Sequence, residues 1–592
     1  MASKYPKMCA IARILGYNVL ITRNLVSFFI YMIMKKTLVY LSLGAMVLTM
    51  GSCSKKVGDF ASEYFTTNPT PLETVGETVP ATISGTVPAK FMPKNAVVTV
   101  TPVLVWNGGE ASSSQVTFQG ENARANGQVI SYKDGGPVTI PFNVLYQPEM
   151  ANSDLYLDFK VNQGGKDYEL PRVKVGYGVI ATSTLTDVTV IEPAPAVSNF
   201  ERIIKEKYSA EIKFLINQAN IRANQTSATD YVDFNNDLLA ANAAPNMEIA
   251  NVNVHSYASP DGTMAFNTQL AEKRENVTVN YMRNQLKKDN ITEFGELTSE
   301  FTPEDWEGFQ QLVEKSNIQD KNLILSVLKM YKDPEQREAE LKNMSAVFNE
   351  LAEQILPQLR YSKIVATVNV IGKSDEEMVA IFQSNPSGLN IEEILYLASI
   401  TDDTKKKEAI YTAATQIYPN DFRTWNGLGA TEFVLGNYDA ASKALAQAKK
   451  IAPNEKSVDL NQGLIALANN DMGKAKDLIG GAAGVPEAAS ALGVLYLNEG
   501  KVSNALSSLG NTKNNNTALA QILAKDYSAA KNTLAGIQTP NANTYYLAAI
   551  VGARTNNENM VMTNLREAIK LDSSLAEKAK KDLEFASYNL AF

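Results

Sequence analysis

Residues 425–454 read WNGLGATEFVLGNYDAASKALAQAKKIAPN, with Trp425, Leu428, Gly429, Gly436, Ala441, Ala448 and Pro453 at offsets 0, 3, 4, 11, 16, 23 and 28. Apolar and small residues three and four apart mark two amphipathic helices, and Gly436 breaks the chain between them. The small side chains at Gly429 and Ala441 predict a hairpin whose helices approach closely, and Pro453 ends the unit. The pattern returns with Ala475, 34 residues after Ala441, and with Ala505, 30 further on. "AQILAKDYSAAKNTL" and "TYYLAAIVGARTNNENMVMTNLREAIKLD" read as a shortened and a final copy. Repetition at this period predicts an all-α solenoid over residues 388–592, closed by "LAEKAKKDLEF".

The stretch resembles a tetratricopeptide repeat, with Glu432 standing where an aromatic is usual. The resemblance implies an array that binds protein partners and performs no chemistry, with Trp425, Leu428, Gly429, Ala441 and Pro453 as its signature.

Composition narrows the rest. The 592 residues carry a net charge of -8, which argues against a nucleic-acid protein. His255 is the single histidine, leaving little room for Ser–His, Cys–His or histidine–metal chemistry. The acidic residues are scattered over helix surfaces, and no pair is nominated for acid–base work. No catalytic residue, metal or cofactor is therefore expected. Both cysteines, Cys9 and Cys53, precede the folded regions.

Upstream of the repeats, residues 200–375 alternate strands and helices, an α+β layout. "SAEIKFLINQANI" and "NMEIANVNVHSYA" read as strands, "SATDYVDFNNDLLAAN" as a helix, and "LRYSKIVATVNVIG" as a closing strand. A long helix follows Gly262, with Phe266, Leu270, Val277, Tyr281 and Met282 expected to cover the sheet. Within a helical insertion over about 291–355, Thr302-Pro303-Glu304-Asp305 reads as a helix start, with Thr302 as the cap. Trp306, Phe309, Leu312, Leu325, Leu328 and Phe348 form its predicted satellite core.

Within this region "HSYASPDGTMAFNTQLAEKR" (255–274) places Asn267, Leu270 and Arg274 at intervals of three and four behind Gly262. That spacing resembles the OmpA-like domain, which binds peptidoglycan non-covalently. The resemblance implies that Arg274 and a loop aspartate fifteen residues earlier grip the charged ends of diaminopimelate in the stem peptide. A guanidinium fork suits a carboxylate, and a carboxylate suits an ammonium. Here the aspartate's position is held by Ser259, with Asp261 two residues on. The candidate peptidoglycan site is thus Ser259, Asp261, Gly262, Asn267 and Arg274, its affinity weakened by Ser259. His255 reads as a strand residue near the sheet end.

Residues 78–190 alternate with period two, and Asn107-Gly108-Gly109, Asp134-Gly135-Gly136 and Gln163-Gly164-Gly165 punctuate them as hairpin turns. A β-sandwich of immunoglobulin-like size is expected. "IEPAPAVSNF" (191–200) reads as a linker, and 53–77 as a polar tether. From Met34 the chain has a Lys35-Lys36 start, an apolar core and small residues ending at Cys53. This reads as a secretory signal over 34–52, preceded by a non-native extension over 1–33. Its end resembles a bacterial lipobox that makes Cys53 the lipidated N-terminus.

Signal, β-domain, OmpA-like domain and repeats together look like envelope lipoproteins of the Bacteroidetes type. The resemblance implies a non-catalytic protein anchored to the outer membrane through Cys53 and facing the periplasm. It would contact peptidoglycan and recruit a protein partner through its repeats. The alternative is an accessory of assembly or secretion machinery whose OmpA-like domain is only a scaffold.

Overall fold

The structure, a computed structural model, describes residues 56–591. The signal segment and Cys53 lie outside the described residues. Two compact units divide the chain: residues up to Glu192 together with Ala466–Phe592, and Pro193–Ile465.

The first unit begins with strands β1 (Phe65–Asn68), β2 (Leu72–Glu73), β3 (Thr78–Val87), β4 (Ala96–Trp106), β5 (Gly109–Ser112) and β6 (Val116–Gly120). They continue with β7 (Gln128–Ile130), β8 (Gly136–Leu145), β9 (Ser153–Gln163), β10 (Lys166–Tyr177) and β11 (Val179–Ile180). One sheet runs β1-β3-β8 and a second runs β10-β9-β4-β6-β7, with β5 paired to β4 and β2 paired to β11. The alternation predicts the inner faces: Val79, Ala81 and Ile83 of β3 and Ile140 and Phe142 of β8 are buried. They share one core with Val98 and Val100 of β4 and Leu157 and Phe159 of β9.

Residues 57–73 are not a tether. Val57, Phe60, Phe65 and Leu72 are buried in the sandwich core, and Phe60 stacks on Phe159 at 4.4 Å. These four apolar residues are set among Pro, Thr and Asn without a period, so the stretch reads as polar. The Gly108 and Gly164-Gly165 turns do close the β4–β5 and β9–β10 hairpins. Asp134-Gly135-Gly136 does not, because β7 and β8 belong to different sheets. Gly135, at φ +74°, donates its N–H to Ser131 O at 2.9 Å, making a tight corner between the sheets.

In the second unit come β12 (Ile203–Lys213), α1 (Thr229–Ala243), β13 (Met247–Tyr257), α2 (Met264–Lys288) and β14 (Glu296–Thr302). Helices α3 (Trp306–Lys315), α4 (Lys321–Met330), α5 (Pro334–Asn343) and α6 (Ser345–Gln354) follow, then β15 (Tyr361–Ile371). The sheet order is β12-β15-β13-β14, with β13 and β14 parallel and the other pairs antiparallel. Ile212, Val252, Val254, Ile364, Ala366 and Val368 form the sheet's share of the core, packed with Tyr231, Phe234 and Leu238 of α1 and Met282 and Leu286 of α2.

Three expectations change here. "ELTSEFT" is strand β14, so the insertion begins after Thr302, and the α3 cap is Asp305, which accepts from Gly308 N at 2.8 Å. Phe266 and Val277 of α2 are exposed; the buried stripe is Asn267, Leu270, Ala271, Arg274, Thr278, Met282 and Leu286. Three of those seven residues, Asn267, Arg274 and Thr278, are polar, which hides the stripe from a search for apolar periodicity. Phe309 and Leu328 do sit in the satellite core, with Trp306, Leu312, Leu325 and Phe348 against it.

The remaining helices of this unit are α7 (Asp375–Ser384), α8 (Ile391–Ser399), α9 (Thr404–Ile417), α10 (Phe422–Val434) and α11 (Tyr438–Ile451). The dividing point falls inside α12 (Lys456–Ala468). The first unit then holds α13 (Met472–Gly481), α14 (Ala488–Asn498), α15 (Val502–Leu509) and α16 (Asn515–Leu523). It ends with α17 (Tyr527–Ala535), α18 (Ala542–Arg554), α19 (Glu558–Leu571) and α20 (Leu575–Lys581).

Three of the helix pairs repeat one packing device. A Cβ on Gly429 of α10 would stand 2.6 Å from Leu445 Cγ of α11, and one on Gly552 of α18 would stand 2.9 Å from Val561 N of α19. Gly493 of α14 meets Leu509 of α15 in the same way. Ala441, Ala475 and Ala505, the repeating small residues, are fully buried. Pro453 lies in the turn between α11 and α12. Glu432 is buried and accepts from Asn437 Nδ2 at 2.8 Å, so a bond between side chains at the α10–α11 turn satisfies the carboxylate that stands in the aromatic's usual place. We expect Gly429→Ala to lower stability by about 1–3 kcal/mol in chemical denaturation, because Leu445 is fully buried and has little room to yield.

Candidate functional site

The loop after β13 brings the sequence-predicted residues together and connects them to one another. Arg274, on the inner face of α2, is 0% exposed. Its Nε donates to Gln218 O at 3.0 Å, Nη1 to Tyr257 O at 2.8 Å and Nη2 to Leu215 O at 3.3 Å. Its guanidinium also lies 5.1 Å from the Phe214 ring centroid. Burial, reinforced by the neighbouring Arg360 charge and opposed by Asp261, pulls its pKa down to about 10. It is still charged at neutral pH, and its fork is directed at the carbonyls that close the sheet end.

Asp261 has a partner of its own. Arg360, at the entry to β15 and 8% exposed, donates from Nη2 to Asp261 Oδ2 at 2.9 Å and from Nε to Ser259 Oγ at 3.1 Å. Ser259 Oγ donates in turn to Asp261 Oδ1 at 2.8 Å. Ser259 is thus part of the Asp261–Arg360 pair. Asn267 Nδ2 donates to Gly262 O at 2.9 Å and to Glu304 Oε1 at 3.1 Å. Trp306 Nε1 donates to the other Glu304 oxygen at 2.9 Å, and Lys342 Nζ of α5 reaches Asp261 O at 3.4 Å. The inserted helices therefore close over the loop. A Cβ on Gly262 would approach Asn267 Oδ1 to 3.0 Å, so this glycine keeps the turn close to the helix.

His255 lies on β13, with Nδ1 3.1 Å from Glu300 Oε1 and Nε2 2.7 Å from Thr302 Oγ1. Its ring stacks on Tyr257 at 4.1 Å, and Tyr257 stacks on Tyr361 at 4.6 Å. It is a strand residue in an aromatic row. Among the described residues no cluster of His, Cys, Asp and Glu has metal-site geometry, and no helix is long and apolar enough to cross a membrane.

A second constellation was not foreseen. Asparagines of the helical repeats grip the segment that follows the sandwich, in each unit separately. In the first unit Asp187 donates its N–H to Asn516 Oδ1 at 2.8 Å, and its carbonyl accepts from Asn516 Nδ2 at 2.7 Å. Its carboxylate accepts from Asn515 Nδ2 at 3.0 Å and Asn541 Nδ2 at 3.3 Å. In the second unit Ala194 donates its N–H to Asn461 Oδ1 at 2.8 Å and accepts from Asn461 Nδ2 at 2.9 Å, with Asn426 Nδ2 at 3.4 Å. Arg423 Nη1 reaches Val197 O at 3.2 Å, and Glu392 accepts from Ser198 Oγ at 2.8 Å and Asn199 N at 2.6 Å. "IEPAPAVSNF" is accordingly a bound segment and not a free linker, with Ile191, Ala194 and Ala196 buried. Asn426 and Asn461, 35 residues apart in a chain that repeats at 34, are the signal that could have revealed it.

Burial pushes the Asp187 carboxyl up, but hydrogen bonds from Thr189, Asn515 and Asn541 outweigh it and hold the group below its ordinary value. A depressed carboxyl contributes stability that is fully present above the unfolded value of about 3.9 and is lost as pH falls through the folded one. Hydrogen exchange in acid should therefore show the amides of Asp187 and Thr189 losing protection below pH about 4, before the helices around them.

No family model matches the chain, and no curated protein matches it. The solved structures to which it is similar include helical-repeat proteins. A tetratricopeptide repeat protein from Parabacteroides merdae is 14% identical, covers 35% of this chain and 91% of its own, and has a TM-score of 0.28. Pseudomonas aeruginosa pilF is 14% identical over 36% of this chain and 99% of its own, with a TM-score of 0.27. The chain spans 44% of a matched chain of the APC/C Cut9–Hcn1 hetero-tetramer, which covers 34% of this one at 15% identity and a TM-score of 0.30. The repeat assignment rests on the chain's own helix pairs and their recurring glycine contacts.

Proposed function

We propose that the chain is a non-catalytic scaffold of the cell envelope, anchored to the outer membrane through a lipid on Cys53 and facing the periplasm. Its α+β domain, of OmpA-like layout, is a rigid platform that does not take up peptidoglycan. The helical repeats serve a protein partner. The observation that carries this reading is the internal pairing of both charges a stem peptide would need. Arg274 is directed at three backbone carbonyls, and Asp261 is paired with Arg360. A diaminopimelate group would have to displace a buried guanidinium and break an ion pair before gaining either contact.

Retention on isolated peptidoglycan tests it. The full chain is expected to wash off at physiological salt. Retention that saturates would reinstate cell-wall contact as the function of this domain. Crosslinking from the repeat helices in envelope fractions is expected to trap a discrete protein complex, and its absence would remove the partner from the reading.

A further inference from the structure

The asparagine contacts have a chemistry of their own. At Asp187 and at Ala194 one side-chain amide both takes the N–H and gives to the carbonyl of a single residue. That pair of bonds is the rung of a β-ladder supplied by a side chain, so it recognises extended backbone and ignores the side chain attached. Asn426, Asn461, Asn515 and Asn516 are each about 1% exposed. Amides buried to that degree need partners, and part of what satisfies them comes from the segment itself. The surface is therefore shaped for a peptide. Beside the first of these contacts lies a carboxylate subsite made by Asn515 and Asn541, without a lysine or arginine among its donors.

We propose that these asparagines are binding sites for extended peptide segments, and that the chain's own residues 182–199 are a resident occupant that keeps them closed. The partner is an extended acidic peptide whose carboxylate takes the place of Asp187. This rests on the scaffold reading only in taking the repeats as the element that meets a partner. The occupant is held mainly by side chains: Thr182–Thr184 and Val188–Val190 are single 3-10 turns, and the stretch joins no sheet. Covalent connection gives it an effective concentration on the order of millimolar, which a free peptide with the same contacts must exceed. The intact chain should thus ignore weak peptides and respond only when the resident segment is loosened.

The site in the first unit offers the test. A fluorescent peptide of residues 182–191 is titrated into the full-length chain and into the full-length Leu185→Gly/Asp187→Gly variant. The wild type is expected to show no binding below about millimolar peptide. The variant should bind at least about tenfold more tightly, and adding Asn516→Ala should remove about tenfold of that affinity. Equal binding to wild type and variant, or none to a folded variant, overturns the proposal. Should the variant not fold, hydrogen exchange on the wild type decides. The Asp187 and Ala194 amides are expected to exchange at least about tenfold faster than the core amides of α10 and α16, through local release of the segment. Exchange only together with those helices would make the segment a permanent part of the fold and overturn the proposal. Neither result bears on peptidoglycan retention, so failure here is distinguishable from failure of the scaffold reading.

Discussion

Arg274→Ala is expected to destabilise the Pro193–Ile465 unit by about 3–5 kcal/mol, measured as a lower denaturation midpoint by urea titration. The side chain is wholly buried, and its removal takes the guanidinium donors from the carbonyls of Gln218 and Tyr257, while Leu215 O keeps the N–H of Gln218 at 3.1 Å. Each buried carbonyl left unsatisfied costs roughly 1–3 kcal/mol, less what an entering water recovers. Arg274→Lys should recover only part of the loss, since one ammonium cannot span three acceptors that a planar fork reaches together. A ligand-gripping arginine would behave differently: its removal would leave stability nearly unchanged and abolish binding. A near-neutral midpoint for Arg274→Ala would therefore contradict the structural role.

A loss of similar size is expected for Arg554→Ala in the other unit. Arg554 forms a fork with Glu584, Nε at 2.7 Å and Nη2 at 2.9 Å, and reaches Glu73 Oε1 of β2 from Nη1 at 2.9 Å. Thr182 donates to the same Glu584 carboxylate. Glu584 sits behind α20, beside Phe585, which is buried against Tyr546. One guanidinium thus ties the sandwich edge to the last helices. Truncating it leaves Glu584, nearly inaccessible to water, without its counter-charge, at about 3–5 kcal/mol. The change should appear as early loss of the sandwich and of α18–α20 together in denaturation. Arg554→Ala/Glu584→Gln should be less damaging than the single change, because the double variant buries no unpaired charge. Additive losses would contradict the coupling.

Much of the architecture follows from periodicity. Alternation placed β3, β4, β8 and β9, and the recurrence of small residues placed the helix pairs. What escaped was built from residues with no period. Val57, Phe60, Phe65 and Leu72 enter the sandwich from a stretch dense in Pro and Thr. β14 reads "ELTSEFT", whose seven residues are all at least partly exposed. The site was half legible. The spacing of Asn267, Leu270 and Arg274 singles out this loop and helix, and the structure brings the named residues together there. That the guanidinium faces inward depends on the carbonyls of Leu215, Gln218 and Tyr257, brought near by folding alone. Arg360 lies 99 residues from Asp261, and no local pattern announces such a pair. The asparagine contacts were hidden for the opposite reason: asparagine is common throughout the repeats, and only the folded segment distinguishes the few that bind backbone.

On the proposed reading this loop, with Arg274 held by carbonyls and Asp261 by Arg360, does not take up the cell wall's stem peptide. Calorimetric titration of the full chain with a soluble diaminopimelate-containing stem peptide tests it most directly. We predict no saturable heat up to millimolar ligand and no upward shift in Tm, since both charges the ligand needs are already paired. Saturable binding that raises Tm and disappears in Asp261→Asn would contradict it.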